Sequence, residues 1–243
     1  YIKGKKVTTN GVIEEGLVEA ESSSLQGVIH ESAKNISKVL SRSSKIYNNV
    51  IKGLSMHDLS ELSKNKKQIS KLSDEVERLK DKLFYFIKNL DESSLGASNF
   101  YINLLGYLQD ITQSIEYVSK ISHKHINNNH SKLTLNQIRD LLAIQEVMSR
   151  LFETISTTFK QKSFEEIKAV LKDKNKTIGL LEDKIESQIA RTRTSEEKSP
   201  KNAALYFSIL QESKDLMKEV MSLIEEYYLS YDKSVKPAKP KDE

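Results

Sequence analysis

The chain has 243 residues, 37% hydrophobic and 30% charged, with 38 basic residues against 34 acidic ones and a net charge of +4. With no basic run interleaved with aromatics, that balance argues against a nucleic-acid surface. The absence of cysteine excludes disulfide scaffolds, thiolate metal sites and cysteine nucleophiles.

Only three prolines occur, and Pro237 and Pro240 sit in the final residues. The body can therefore run as long helices, which bury one stripe and keep the rest wettable. No apolar run approaches the roughly 18 residues of a membrane span. The opening Tyr1-Ile2-Lys3-Gly4-Lys5-Lys6 has neither an initiator Met nor a signal-peptide core, and reads as a piece excised from a longer protein.

Residues 1–25 are glycine-containing and aperiodic, and read as a linker or arm. Helix one follows, with Ile29, Ile36, Val39, Leu40, Ile46, Tyr47, Val50 and Ile51 at helical spacing, ended by Gly53. Ser55 with Asp58 resembles a capping box for helix two. That helix carries Leu62, Ile69, Leu72, Val76, Leu79, Leu83, Ile87 and Leu90, roughly 35 residues or about 50 Å. Gly96 marks the next turn, and helix three runs from Phe100 through Leu104, Leu108, Ile111, Ile115 and Val118 to Ile121, failing at Asn127-Asn128-Asn129.

Thr134 with Gln137 is a full capping box for helix four (Ile138, Leu141, Met148, Leu151, Ile155, Phe159). Ser163 with Glu166 opens helix five (Ile167, Leu171, Ile178, Leu181, Ile185, Ile189). Ser199 at N-cap and Pro200 at N1 open helix six, with Leu210, Met217, Val220, Ile224 and Tyr227. The tail 233–243 is rich in lysine and proline and is expected to be disordered.

An internal repeat organises these six helices. Tyr101, Leu105, Asp110 and Ile115 are matched by Tyr206, Leu210, Asp215 and Val220, each 105 positions later, and Asp91-Glu92 with Ser94 is matched by Glu196-Glu197 with Ser199. A period of that length points to a doubled unit. The expected fold class is all-α: two three-helix repeats, residues 26–131 and 132–232, built from long antiparallel helices.

Candidate chemistry is sparse. His123 and His125 are two residues apart and diverge by about 200° on a helix. His125 and His130 flank the asparagine run and could meet across the turn, where both residue types ordinarily cap free carbonyls. A carboxylate-bridged di-metal bundle needs Glu-x-x-His pairs, yet Gly27, Leu54, Lys120, Ser122 and Asn127 stand three residues before the histidines. Arg191 and Arg193 suit a helix C-terminus or, alternatively, a phosphate. No glycine-rich phosphate loop or nucleophile elbow occurs, so no catalytic residue is expected.

Asp110 and Asp215 remain as candidate ligands for a hard or borderline metal ion. Asp110 shares its side with Asn103, Gln113, Ser114 and Tyr117. Asp215 shares its side with Ser208, Gln211, Glu212, Lys218 and Glu219. The plain alternative is two solvated faces.

The segments Phe84 to Ser94, Leu105-Gly-Tyr-Leu-Gln-Asp-Ile, His125-Ile-Asn-Asn-Asn-His, Ala190-Arg-Thr-Arg-Thr, Ser199-Pro-Lys-Asn and Leu205-Tyr-Phe resemble a bacterial family. Together they look like the cytosolic C-terminal, PhoU-like domain of PiT-type inorganic phosphate transporters. The resemblance implies tandem three-helix bundles at the cytoplasmic face of the bacterial inner membrane. It implies a non-catalytic module that modulates or senses phosphate transport, with the transmembrane portion of a phosphate permease as partner and a homo-oligomer compatible. A free-standing PhoU-like signalling adaptor is the alternative. The family carries a Glu/Asp-x-x-x-Asp pattern that binds metal clusters; here Asp110 and Asp215 hold the second place, while Gly106 and Gln211 hold the first.

Overall fold

A computed structural model describes residues 24–90 and 95–235. Most of the expected arm, the Asp91-Glu92 and Ser94 part of the repeat, and the tail from residue 236 lie outside the described residues. Within them the chain is an all-α bundle. Its elements are α1 (Leu25–Ser55), α2 (Leu59–Lys88), α3 (Leu95–Asn127), α4 (Leu135–Gln161), a 3-10 turn (Phe164–Glu166), α5 (Ile167–Lys172), α6 (Lys174–Arg193) and α7 (Pro200–Ser230).

The caps explain most of these boundaries. Ser24 accepts from the Gly27 N–H and starts α1 before the expected end of the arm. The α1–α2 turn differs from the Ser55/Asp58 expectation. Ser55 is the last residue of α1, and Asp58 is itself the N-cap of α2, accepting from Glu61 N–H at 3.0 Å. Gly53 does not end α1. It lies inside the helix where α2 crosses, and a Cβ there would stand 3.1 Å from Leu62 Cδ2. α2 stops at Lys88, after 30 residues. α3 starts at Leu95, so Gly96 is helical.

The capping box at Thr134 and Gln137 forms reciprocally, at 3.3 and 3.0 Å. Ser199 caps α7 with Pro200 in its first turn. The expected fifth helix is broken: Ser163 makes no side-chain cap bond, and a 3-10 turn and the short α5 precede α6. The interruption between α5 and α6 falls at Asp173. In the 3-10 turn, Phe164 is buried among Phe159, Tyr227, Tyr231 and His30 at ring distances of 5.9, 5.5, 5.0 and 5.6 Å. α6 is the least amphipathic rod, burying only Leu181 and Gln188, while Ile189, expected on its apolar face, is 47% exposed. After α7 the chain turns at Asp232, whose side chain accepts from the Ser234 N–H at 2.9 Å and hydroxyl at 2.6 Å. Residues 233–235, expected to belong to the tail, continue that turn.

α1, α2 and α3 pack mutually as a three-helix bundle, whereas α4 leans mainly on α1 and touches α6 and α7 sparsely. The halves meet mainly through two pairs, α1 on α4 and α3 on α7, and α1 also touches α7, where Tyr47 and Ser213 hydroxyls bond at 2.7 Å. Contacts between Ser37 and Ser156, Asn48 and Ser149, Asn103 and Glu226, and Ser114 and Glu219 show that both pairs are antiparallel.

The repeat offset reappears in the geometry. His57 and Lys162, 105 positions apart, both take left-handed backbone after α1 and α4, with φ of 56° and 58°. Phe86 stacks on Tyr101 at 4.7 Å, and at the same offset Arg191 lies over the Tyr206 ring at 5.7 Å. Ser114 bonds Glu219, its own repeat counterpart, at 3.1 Å. A residue can meet its counterpart only near a local two-fold axis, so the α3–α7 seam sits there.

Candidate functional site

The seam is built from faces that the sequence places on separate helices. Asn103, Tyr107, Asp110 and Ser114 follow the three- and four-residue spacing of one side of α3. Glu212, Asp215, Glu219 and Glu226 do the same on α7. Antiparallel packing sets the faces together: Asn103 donates to Glu226 Oε1 at 3.2 Å, and Ser114 Oγ donates to Glu219 Oε2 at 3.1 Å. Both sequence-predicted residues act on Glu219: Asp110 from α3 and Asp215 from α7. Asp110 is exposed, Asp215 half-buried and Ser114 buried.

Glu219 is the centre of this group. Burial is the largest influence on its carboxyl, and Asp110, Asp215 and Glu212 add repulsion. Together they outweigh the Ser114 hydrogen bond and push its pKa up to about 7. Glu212 is raised too, by burial first and Asp215 second. Tyr107 is raised by burial, then by Glu226, Glu225 and Asp110. Ser114, Glu212 and Glu219 were legible as neighbours on their own faces. That the two faces oppose each other was not.

The metal cluster implied by the family pattern is not supported by these residues. Gly106 supplies no ligand, and Gln211 donates its side-chain N–H to Asp215 Oδ1 at 3.2 Å. Among the described residues no three His, Asp or Glu side chains are arranged to hold a metal ion together. The seam is a set of like charges that can share or lose a proton near neutral pH, not a preformed cage.

Arg191, read from the sequence as a dipole partner or phosphate ligand, is engaged elsewhere. Its guanidinium donates to Asp140 Oδ2 at 3.1 Å and to Gln188 Oε1 at 3.1 Å. Asp140 also accepts from the Tyr206 hydroxyl at 2.7 Å and pairs with Lys184 at 2.9 Å. Burial would raise the Asp140 carboxyl, but these three donors hold it below the ordinary value. Here α4, α6 and α7 are tied by charge where the first half uses the Phe86–Tyr101 stack. Arg193 is exposed.

His125 and His130 do meet across the α3–α4 turn, with Nδ1 atoms 3.4 Å apart. Burial is the main cause that lowers the His125 pKa. Ser63 Oγ lies 3.1 Å from His123 Nε2. Among the described residues no carboxylate accepts a hydrogen bond from the other nitrogen of that ring, so the pair lacks the third member of a catalytic triad. None of the helices of the described residues is long and apolar enough to cross a membrane. Comparison with protein-family models, with curated proteins and with solved structures finds no match for this chain.

Proposed function

We propose that the chain is a non-catalytic control module that modulates or senses phosphate transport, as the cytoplasmic regulatory domain of a PiT-type inorganic phosphate transporter. The reading rests on the motif resemblance, and one geometric observation carries it further: Ser114 and Glu219 touch at the same 105-residue separation as the sequence repeat. A doubled three-helix bundle is the form the PhoU-like resemblance implies. In this reading the seam transmits a signal through a change in how α3 and α7 pack, and the membrane portion of the permease is the partner.

The test is phosphate uptake by the full-length parent protein, measured in phosphate-starved and phosphate-replete cells. Removing residues 24–235 is expected to abolish the difference between the two states. Unchanged uptake and unchanged regulation would overturn the proposal. The free-standing adaptor is the second reading, and the reading frame upstream of Tyr1 separates the two: hydrophobic spans support the transporter domain, and a nearby start codon supports the adaptor.

A further inference from the structure

Four of the five histidines gather where the α1–α2 and α3–α4 turns lie: His57, His123, His125 and His130. The functional reading uses none of them. α3 closes there in a double backbone lock. The Asn129 N–H donates to Ile126 O at 2.9 Å and the His130 N–H to His125 O at 3.2 Å, with Asn129 left-handed at φ 57°. This is a Schellman motif, which ordinarily brings its third-last helical residue against the second residue beyond the helix as an apolar contact. Here both of those residues are histidine, with rings 4.9 Å apart and inclined at 78°. The backbone, not a chance rotamer, holds the two imidazoles together.

The ring protons follow from the partners. His125 Nε2 is 3.0 Å from the Ser131 carbonyl oxygen, which can only accept, so Nε2 carries the hydrogen. Nδ1 is then an unprotonated lone pair that accepts from His130 Nδ1–H at 3.4 Å, a proton that a shift of His130 to its other tautomer would vacate for an ion. A metal-binding imidazole is usually oriented this way, with its far N–H on a carbonyl and its near nitrogen free. Two nitrogens, each about 2.0–2.1 Å from a tetrahedral ion, stand about 3.4 Å apart.

We propose that His125 and His130, through their Nδ1 atoms, form a bidentate site for a borderline divalent cation, Zn2+ or Cu2+, with water in the remaining positions. Imidazole nitrogens select these ions, whereas the oxygen donors of the α3–α7 seam suit harder ones. The site is independent of the transport reading.

Calorimetric titration of the full chain with Zn2+ at slightly alkaline pH tests it, using the wild type, H130Q and D110N. One equivalent is expected to bind the wild type. Affinity should fall at least tenfold in H130Q, as removal of a ligand costs no less than removal of its supporting partner, and should be unchanged in D110N. His130 is only half-buried and its backbone lock survives the substitution, so unchanged far-ultraviolet circular dichroism is expected of H130Q. With Cu2+, electron paramagnetic resonance should show coupling to two imidazole nitrogens in the wild type and to one fewer in H130Q. Absence of binding at millimolar Zn2+, or equal affinity in H130Q and wild type, overturns the proposal.

Discussion

Glu219 makes stability fall as pH rises from the ordinary carboxylate range toward neutrality, and Glu219→Gln removes that dependence. The folded carboxyl titrates at about 7 against an ordinary 4.5, so the folded state holds the extra proton between those values. Protonated Glu219 costs nothing below pH 4.5. As pH rises the folded protein must ionise a group crowded by Asp110, Asp215 and Glu212, and stability drops until about pH 7, then levels. At 1.36 kcal/mol per pH unit the full effect is about 3.4 kcal/mol. The side chain is only half-buried, and solvent screening reduces this to about 1.5–2 kcal/mol. Gln keeps an oxygen for Ser114 and removes the charge. Urea denaturation of wild type and E219Q at pH 4.5 and pH 8 measures the difference. The variants should coincide at the lower pH, and E219Q should be more stable at the higher by that amount, roughly 3–8 °C in melting temperature. An equal gap at both values, or a less stable E219Q at pH 8, refutes the account.

Asp140→Ala strips Arg191, Lys184 and Tyr206 of their shared acceptor and should cost about 3 kcal/mol in urea unfolding. Because its folded pKa is lowered, Asp140 contributes fully above its ordinary value near 4 and less as pH falls through the folded value, so Asp140→Asn should flatten the acid limb of the stability profile. Gly179→Ala, inside α6 with nothing within 4 Å of the added Cβ, should stabilise the protein by up to about 1 kcal/mol, read as a higher melting temperature. Lys162→Gly relieves a left-handed backbone at φ 58° and should gain about 0.5–1 kcal/mol after the entropic cost of glycine; a loss in chemical denaturation would show that the Lys162 side chain contributes more than the strain.

The rods were legible because their stripes are long and their caps chemically explicit. Thr134, Ser199 and Pro200 act as the sequence indicates. Misplaced boundaries have local causes. Gly53 reads as a terminator, but it is needed for the close approach of Leu62. His57 supplies the turn that glycine would ordinarily supply; histidine is enriched in left-handed backbone, but too weakly for one residue to mark the turn. Helix five looks continuous because Ile167, Leu171 and Ile178 keep helical spacing through the break. The break itself falls at Asp173, between Leu171 and Ile178, where the apolar spacing runs on unchanged. The site was half legible. Asp110 and Asp215 are named by the repeat, yet the carboxyl with the most perturbed chemistry among them is Glu219, whose environment comes from another helix. Periodicity reports which residues share a face; it does not report which face lies opposite.

The repeat also explains why the seam takes the form it does. At a two-fold axis each position faces its own counterpart, so an identical charged residue in both halves would confront itself. Two carboxylates at 3.1 Å could not both ionise, and two hydroxyls would leave a weak neutral contact. With Ser114 in one half and Glu219 in the other, the axis acquires one donor and one acceptor. The flanking Asp110 and Asp215 stay alike, one on each side, and their repulsion falls on the single carboxylate between them. The same divergence separates Phe86 on Tyr101 from Arg191 on Tyr206: the geometry is kept and the chemistry differs. Restoring symmetry therefore provides a sharp test. Ser114→Glu would place a second carboxyl against Glu219 and should leave the protein near wild-type stability at pH 4.5, where the pair can keep its protons. At pH 8 it should be destabilised by more than the 1.5–2 kcal/mol that Glu219 alone is expected to cost. A Ser114→Glu variant with equal losses at both pH values would mean that packing volume, not charge, decides what the axis tolerates.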